Sequence, residues 1–527
     1  MQVQVRINEE GALRNQRYAF TDRYTLVSEL LQNARRAGAQ RIEVLYDEVL
    51  KVLRVIDDGC GITDFQKLLT FNESGWDENT CREERPFGIG FSKCLYSASR
   101  CVVSSRNQKI DFVTEEALGR RLIEVLDIEH HPDTVIELHG VELPGLKTRL
   151  TAVCSGFPVV VWFNGIELPR PYAIGRLPFL STNIGQVYVT GTQDGRYSTD
   201  TLVLLQGFCV MRPSSFDAAH VNVVHLDSQQ FIARLPDRDK LIDEDDQQKR
   251  IDACLRSLWR QALLEAQGKM DAEAFVETYF RAIRRWGHLD LLNTVPLLPK
   301  CLTERIVGYP IQEGYEHCHY LQTVERALTR SDVENGRVVL VELDSVSSEN
   351  AAVWMFAREM GYVVFSAGLH PGHWVQPYVR TLDENAIWVE AIGEHCRATL
   401  EGRWICETVV LCKAVALTIG EDRVEITDSG VYHDRSLFIP DGEFSGEPAR
   451  QASDFIDEHD QFLDDHCAAD RDALADLLRR LRSRDPKATL DSLLQELKLE
   501  KYPLLKGRTF RLKVGHDRSE HAVELLN

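Results

Sequence analysis

Three short blocks near the start of the chain constrain its fold more than any other feature. In order they are Glu29-Leu-Leu-Gln-Asn33, Asp57-Asp58-Gly59-Cys60-Gly61 and Pro86-Phe87-Gly88-Ile89-Gly90-Phe91. The first lies in an amphipathic pattern: Leu26, Val27, Leu30, Leu31 and Ala34 recur at helical spacing, Thr21 or Asp22 stands where an N-cap is expected, and Gly38 where a helix closes. The spacing predicts one helix over residues 22–38. Glu29 and Asn33, four residues apart, leave such a helix on one face. A carboxylate there can take a proton from water, and an amide oxygen can complete the shell of a magnesium ion that takes few protein ligands. On an ordinary solvated face the same pair would carry no chemistry, so the block gains weight only beside the others.

The second block follows two alternating β-rich runs, Ile42–Tyr46 and Val52–Ile56, which read as a hairpin. Its glycines let the backbone turn sharply and let a flat ligand lie close. A carboxylate at the strand end can accept a hydrogen bond from an exocyclic amine; such a charge-assisted bond contributes about 1.5–3 kcal/mol when desolvated and selects an amino group over a keto oxygen. A surface Asp-Gly turn is the ordinary alternative. In the third block a glycine pair leads into an apolar helical pattern that runs through Ser97, an arrangement suited to phosphate. The chain has no Gly-x-x-x-x-Gly-Lys-Ser/Thr loop and no full dinucleotide fingerprint.

The conjunction of the three blocks resembles the N-box and two glycine boxes of the GHKL ATPases. This Bergerat-fold superfamily includes DNA gyrase, the ninety-kilodalton heat-shock chaperones, sensor histidine kinases, MutL and MORC proteins. Val135–Leu138, preceded by Asp133-Thr134, resembles a later family element in which a threonine helps hold the adenine-binding aspartate, although Asp133 stands where the family has glycine. The resemblance implies Glu29 as general base and Asn33 as magnesium ligand. It implies Asp57 on the adenine amine, Gly59, Gly61 and Ile62 at the adenine floor, and Gly88, Ile89, Gly90 and Phe91 around the phosphates, with Thr134 in support. Residues 63–85 fall where the family has its mobile ATP lid. Arg36 departs from the acidic residue that many members carry there; it reads as a surface residue or a local ion-pair partner and is left outside the site.

The N-box helix is preceded by only twenty-odd residues without a histidine, which disfavours a classical sensor kinase and favours slow ATP hydrolysis coupled to lid closure. At 527 residues the chain exceeds one core. The expected fold is α/β: a Bergerat-fold domain over 1–155 with helices on one face of a mixed sheet, a transducer-like domain over 156–285, a further α/β domain over 286–440 and a helical region over 441–527. The strand-turn-strand pattern of residues 157–168 reads as entry to the second domain. In related enzymes a basic loop such as Phe231–Lys240 sends an Arg or Lys to the γ-phosphate. Arg238 is the first choice for that role, with Arg234 and Lys240 as competitors. A βαβ unit is expected from Val338–Leu343, a helix to Met360 and Tyr362–Phe365, then strand-like runs from Ala386 to Ile426. Helical patterns follow that would pack on their own domain or dimerise.

With 81 acidic against 61 basic residues, net charge −20, the surface as a whole repels phosphate backbones. Arg281, Arg284 and Arg285 beside Trp286 form the best local basic cluster, more simply read as a solvated helix face. His317-Cys318-His319, His370 with His373, and His395-Cys396 are metal ligands by type but not by spacing, and the 13 cysteines form no disulfide framework. The absence of a signal peptide or a long apolar run points to a reduced cytoplasmic protein. The expectation is an ATP- and magnesium-dependent switch acting on a protein client, with a nucleotide-dependent homodimer and no membrane. The alternatives are an ATP-gated interaction module of a bacterial defence or mobile-element system, or a MutL- or MORC-like nucleic-acid-processing ATPase.

Overall fold

The computed structural model describes residues 3–4, 8–16, 18, 22–71, 73, 75–84, 90–234, 240–310, 320–442, 449 and 464–527. It is a mixed α/β structure in which the chain separates into two compact units, Met1–His288 and Leu289–Asn527.

In the first unit, helix α1 (Glu9–Gln16) precedes α2 (Thr25–Arg36). The α2 helix starts three residues later than the sequence pattern implies, because Asp22 Oδ1 accepts from Tyr24 N at 2.9 Å and holds the preceding turn. Next come strands β1 (Arg41–Asp47) and β2 (Val52–Asp57), short helices α3 (Phe65–Leu69), α4 (Glu78–Glu84) and α5 (Ser92–Ser97), strand β3 (Arg100–Val113), helix α6 (Thr114–Leu118), strand β4 (Val125–His139) and helix α7 (Leu146–Val153). Strands β5 (Val160–Phe163) and β6 (Ile166–Glu167) complete a six-stranded sheet of order β3-β4-β2-β1-β5-β6. Residues 157–168 thus extend the first sheet instead of opening a second domain: β5 lies parallel to β1, with Ile42 opposite Val161. A local Asn-Gly turn signal marks a hairpin but not the sheet it joins, and here Phe157, Val161 and Phe163 belong to the same core as α2. That core takes Leu26, Val27, Leu30 and Leu31 from α2, Cys94 and Leu95 from α5, Leu146 and Leu150 from α7, and alternate residues of the strands.

A second sheet, order β10-β9-β11-β8-β7, is built from β7 (Leu180–Thr182), β8 (Gly185–Tyr188), β9 (Thr201–Leu205), β10 (Phe208–Met211) and β11 (Asn222–Leu226). Helices α8 (Glu244–Lys269) and α9 (Ala272–Trp286) follow. The indole of Trp286 stacks on buried Trp259 with centroids 6.2 Å apart, so the aromatic member of the basic cluster faces the α8–α9 contact while Arg281, Arg284 and Arg285 face solvent.

The second unit contains a five-stranded sheet of order β13-β12-β15-β14-β16: β12 (Thr303–Ile306), β13 (Leu321–Thr323), β14 (Leu340–Glu342), β15 (Val363–Phe365) and β16 (Val379–Thr381). Parallel strands β14 and β15 are joined through the buried helix Ala351–Glu359. Three- and four-stranded antiparallel-rich sheets fill 387–440, followed by helices Asp464–Leu481 and Pro486–Glu496. The C-terminal region is not wholly helical. Phe510–Lys513 pairs antiparallel with Ala522–Leu525, a hairpin whose four-residue strands are too short for a period-two pattern to stand out in the sequence. Among the described residues no helix is long and apolar enough to cross a membrane.

Candidate functional site

A cavity of about 380 Å³ in the first unit is lined by α2, the β2 strand end, the α3–α4 segment and the start of α5. Glu29, Asn33, Asp57, Gly61, Ile62, Gly90, Phe91 and Thr134, all singled out from the sequence, border it. Gly88, Ile89 and Arg238 lie outside the described residues.

The α2 helix supplies one wall. Glu29 is buried at 7 % exposure although carboxylates rarely are, because its neighbours Leu26, Leu30 and Leu31 carry the helix into the core. A Cβ on Gly90 would collide with Glu29 Oε2, so the backbone here runs against the carboxylate and a side chain at this position would have to displace it. The α5 helix that follows has only six residues. Its dipole is correspondingly weak, and the backbone approach at Gly90 is the stronger feature of this corner.

The β2 strand supplies the floor. Of the paired aspartates, Asp57 is buried and Asp58 is not. Asp58 Oδ1 accepts from Gln40 N and Arg41 N at 2.7 and 3.0 Å, tying the strand end to the loop after α2. Asp57 Oδ1 accepts from Gly59 N at 3.1 Å. Burial pushes the Asp57 carboxyl up to about 6; the Gly59 bond opposes this, and the charges of Asp58 and Asp133 add to it. Gly59 sits behind Asp57 and not on the floor itself: a Cβ there would meet Ala37 Cβ at 2.7 Å and Asp57 Oδ1 at 2.8 Å. Gly61, at φ +78, has Arg106 Nε 2.9 Å from where a Cβ would stand. Thr134 lies opposite Asp57 in the β2–β4 register, its hydroxyl 2.9 Å from Ser105 Oγ, which accepts from Ile62 N at 2.9 Å. Ser105 therefore holds the second glycine segment to the strand beneath it.

Several lining residues carry no sequence signal. Arg36 is on the cavity wall, not outside the site; its side chain is 2 % exposed and its Nε lies 2.9 Å from Glu84 Oε2 on α4, which Arg35 also pairs. Burial would raise Glu84, but the two guanidiniums outweigh it and hold its pKa below the usual range. Arg106, at φ +57 in an irregular stretch of β3, donates from Nε to Cys60 O at 3.1 Å. Lys67, Phe71 and Trp76 come from the segment expected to form the lid. The partner of Arg36 is 48 residues away, and the bulge that turns Arg106 inward is set by pairing with β4, so neither was legible locally.

A second cavity, of about 460 Å³, is bordered by Glu29 together with Gln32, Arg149, Arg212 and Lys240. Lys240 thus shares a cavity wall with Glu29, and its backbone O accepts from Arg234 N at 2.7 Å.

His317, Cys318 and His319 lie outside the described residues. His373 is buried, with its pKa pushed down to about 4 chiefly by desolvation, and its Nδ1 accepts from Val375 N at 3.2 Å. His395 Nε2 is 3.2 Å from Asp441 Oδ2. No group of three or more His, Cys, Asp or Glu able to hold a metal occurs among the described residues. Cys94, Cys101 and Cys154 are buried free thiols, and desolvation pushes Cys101 and Cys154 up to about 12.

No protein-family model and no curated protein matches the chain.

Proposed function

We propose that the chain binds and slowly hydrolyses ATP, using the cavity between α2, β2 and α5, and that nucleotide occupancy drives a conformational change felt by a protein partner. The observation that carries this reading is convergence: residues from three sequence blocks separated by tens of positions border one cavity, with a buried acceptor, Asp57, and a buried carboxylate, Glu29, both on its wall. Gly59, behind Asp57, packs on Ala37 at the C-terminal end of α2, and Glu29 lies eight residues before Ala37. That spacing is about 12 Å along a helix axis, of the order of the reach from base to terminal phosphate in an extended nucleotide.

In this reading Asp57 accepts a hydrogen bond from the adenine amine, Ile62 and Ile136 pack on the base, and the Gly90–Ser92 backbone meets the phosphates. Glu29, pressed against Gly90, orients the attacking water and takes its proton. The cavity wall carries five carboxylates, Glu29, Asp57, Asp64, Glu73 and Asp77, against three cations, Arg36, Lys67 and Arg106. Such a wall favours a polyphosphate that arrives with a divalent cation. Asn33, which borders the same cavity, would hold magnesium, an ion that prefers few protein ligands beside phosphate oxygens and water. When bound, the ion would neutralise phosphate charge. Of the three basic candidates in the loop, Lys240 borders a cavity that Glu29 also borders, and it is the cation this reading assigns toward the γ-phosphate.

The test is magnesium-dependent nucleotide binding and turnover for wild type, Asp57→Asn and Glu29→Ala. Loss of binding in the first variant, with retained binding and lost turnover in the second, is the expected pattern. Failure of the wild type to bind any adenine nucleotide would overturn the proposal.

A further inference from the structure

We propose that Gln206, in the turn between β9 and β10 of the second sheet, is a positioning residue that latches helix α4 to helix α2. It would thereby make the second sheet a sensor of how α4, the helix that directly follows the cavity-lining Trp76 and Asp77, is seated; the sensing half of this inference rests on the nucleotide reading above, the latch itself does not.

The α2 helix has two working faces. Glu29 and Asn33 border the cavity, while Gln32 and Arg35, three residues apart, point elsewhere. Gln32 is 1 % exposed, a burial that a primary amide tolerates only with partners. Its Nε2 donates to Gln206 Oε1 at 2.6 Å, and its Oε1 accepts from Arg35 Nε at 3.4 Å. Gln206 Nε2 in turn donates to the backbone O of Glu84, the last residue of α4, at 3.3 Å. A carbonyl can only accept, so the Gln206 amide has one orientation that satisfies both neighbours. The Glu84 side chain is held at the same point by Arg35 and Arg36 of α2. One amide from the second sheet therefore ties together the C-terminal end of α4 and the non-cavity face of the helix that carries Glu29 and Asn33.

The backbone of the turn points the same way. Gln206 and Gly207 have φ +54 and +87, the two-residue hairpin geometry in which Asn-Gly is favoured and a longer side chain is strained. Asparagine would suit the turn but is one methylene too short to span from Gln32 to Glu84. The turn is also seated firmly: a Cβ on Gly207 would meet Pro158 Cδ at 2.6 Å, and Phe208 stacks on Phe157 with centroids 5.0 Å apart. A change in the seat of α4 must be matched at this turn, and β9 passes it to β10 and to its parallel neighbour β11.

The test is hydrogen–deuterium exchange of the full chain for wild type, Gln206→Gly and Gln206→Asn. Both variants suit the turn, so β9 and β10 should exchange as in wild type. Without ligand, exchange across Glu78–Glu84 should rise about fivefold to tenfold in both variants, the factor one hydrogen bond contributes. With magnesium and a non-hydrolysable ATP analogue, wild-type protection should extend into residues 201–211, whereas in the variants it should stop at α2 and the cavity strands. Unchanged exchange across Glu78–Glu84 in both variants would overturn the latch. If the analogue protects nothing in wild type, the nucleotide reading and the sensing role fall together, and the ligand-free comparison still decides the latch.

Discussion

Replacing Asp57 by asparagine should make the ligand-free protein more stable while weakening nucleotide binding. The Asp57 carboxyl moves from an ordinary 3.8 to about 6 on folding, mainly through desolvation. At about 1.4 kcal/mol per tenfold change in proton affinity, holding it ionised costs about 3 kcal/mol. The sign follows from the raised value: the favourable contribution of the protonated group is fully present below pH 3.8 and is lost as pH rises through about 6. At pH 8 the wild type therefore bears the whole penalty and Asp57→Asn bears none, while Oδ1 of the amide still accepts from Gly59 N. Urea-dependent hydrogen exchange of β2 and β4 in the full chain measures the difference without requiring the two units to unfold together. The variant should gain about 1–3 kcal/mol at pH 8, and the gain should shrink toward zero between pH 6 and pH 4. Adenine nucleotide affinity should meanwhile fall roughly tenfold to a hundredfold, as expected for loss of one charge-assisted hydrogen bond. A variant that is less stable than wild type at pH 8 would refute the desolvation argument, and a gain independent of pH would show that ionisation of the Asp57 carboxyl is not its source.

Gly90→Ala should reduce turnover far more than binding, because its Cβ displaces the Glu29 carboxylate; adding it to Glu29→Ala should cost little further turnover, a non-additivity read from a double-mutant cycle. Leu31→Ala removes a side chain with no exposed surface from the core beneath the cavity and should destabilise the first unit by about 2–5 kcal/mol, measured by the same exchange experiment. In the second unit the fully buried Asp470 carboxylate accepts from the backbone N–H groups of Arg403, Trp404 and Ile405. Asp470→Ala should raise exchange at those three amides and loosen the helix Asp464–Leu481 by about 2–4 kcal/mol, whereas Asp470→Asn, which keeps one acceptor, should cost less.

The parts of the fold legible in the sequence are those decided by neighbours along the chain. The apolar spacing from Leu26 to Ala34 reports a helix because its core contacts recur every turn, and the alternation around Val44 and Val55 reports strands for the same reason. Glu29 and Asn33 share a helix face because they stand four residues apart, and Asp57 stands at a strand end, so local pattern alone brought out three residues that border one cavity. What escaped was set by distant pairing. Nothing within residues 157–168 says that β5 will lie beside β1, and nothing around Arg36 names Glu84 as its partner. Gly59 and Gly61 look equivalent as letters, yet one braces Asp57 from behind and the other makes room for Arg106, a distinction created by tertiary packing.

The parallel seam between β1 and β5 governs how the first unit can be cut. β1 lies near the middle of its sheet, flanked by β2 on one side and β5 on the other. A fragment ending at residue 155 would strip β1 of that partner and expose a strand whose Ile42 and Val44 are fully buried, an open edge inviting association with other chains. A downstream fragment beginning after Pro158 would lose the platform on which the β9–β10 turn rests. Recombinant versions of the six-stranded-sheet region should therefore run past Leu168, and a fusion or insertion tag placed in residues 155–160 would act as a lesion in the sheet.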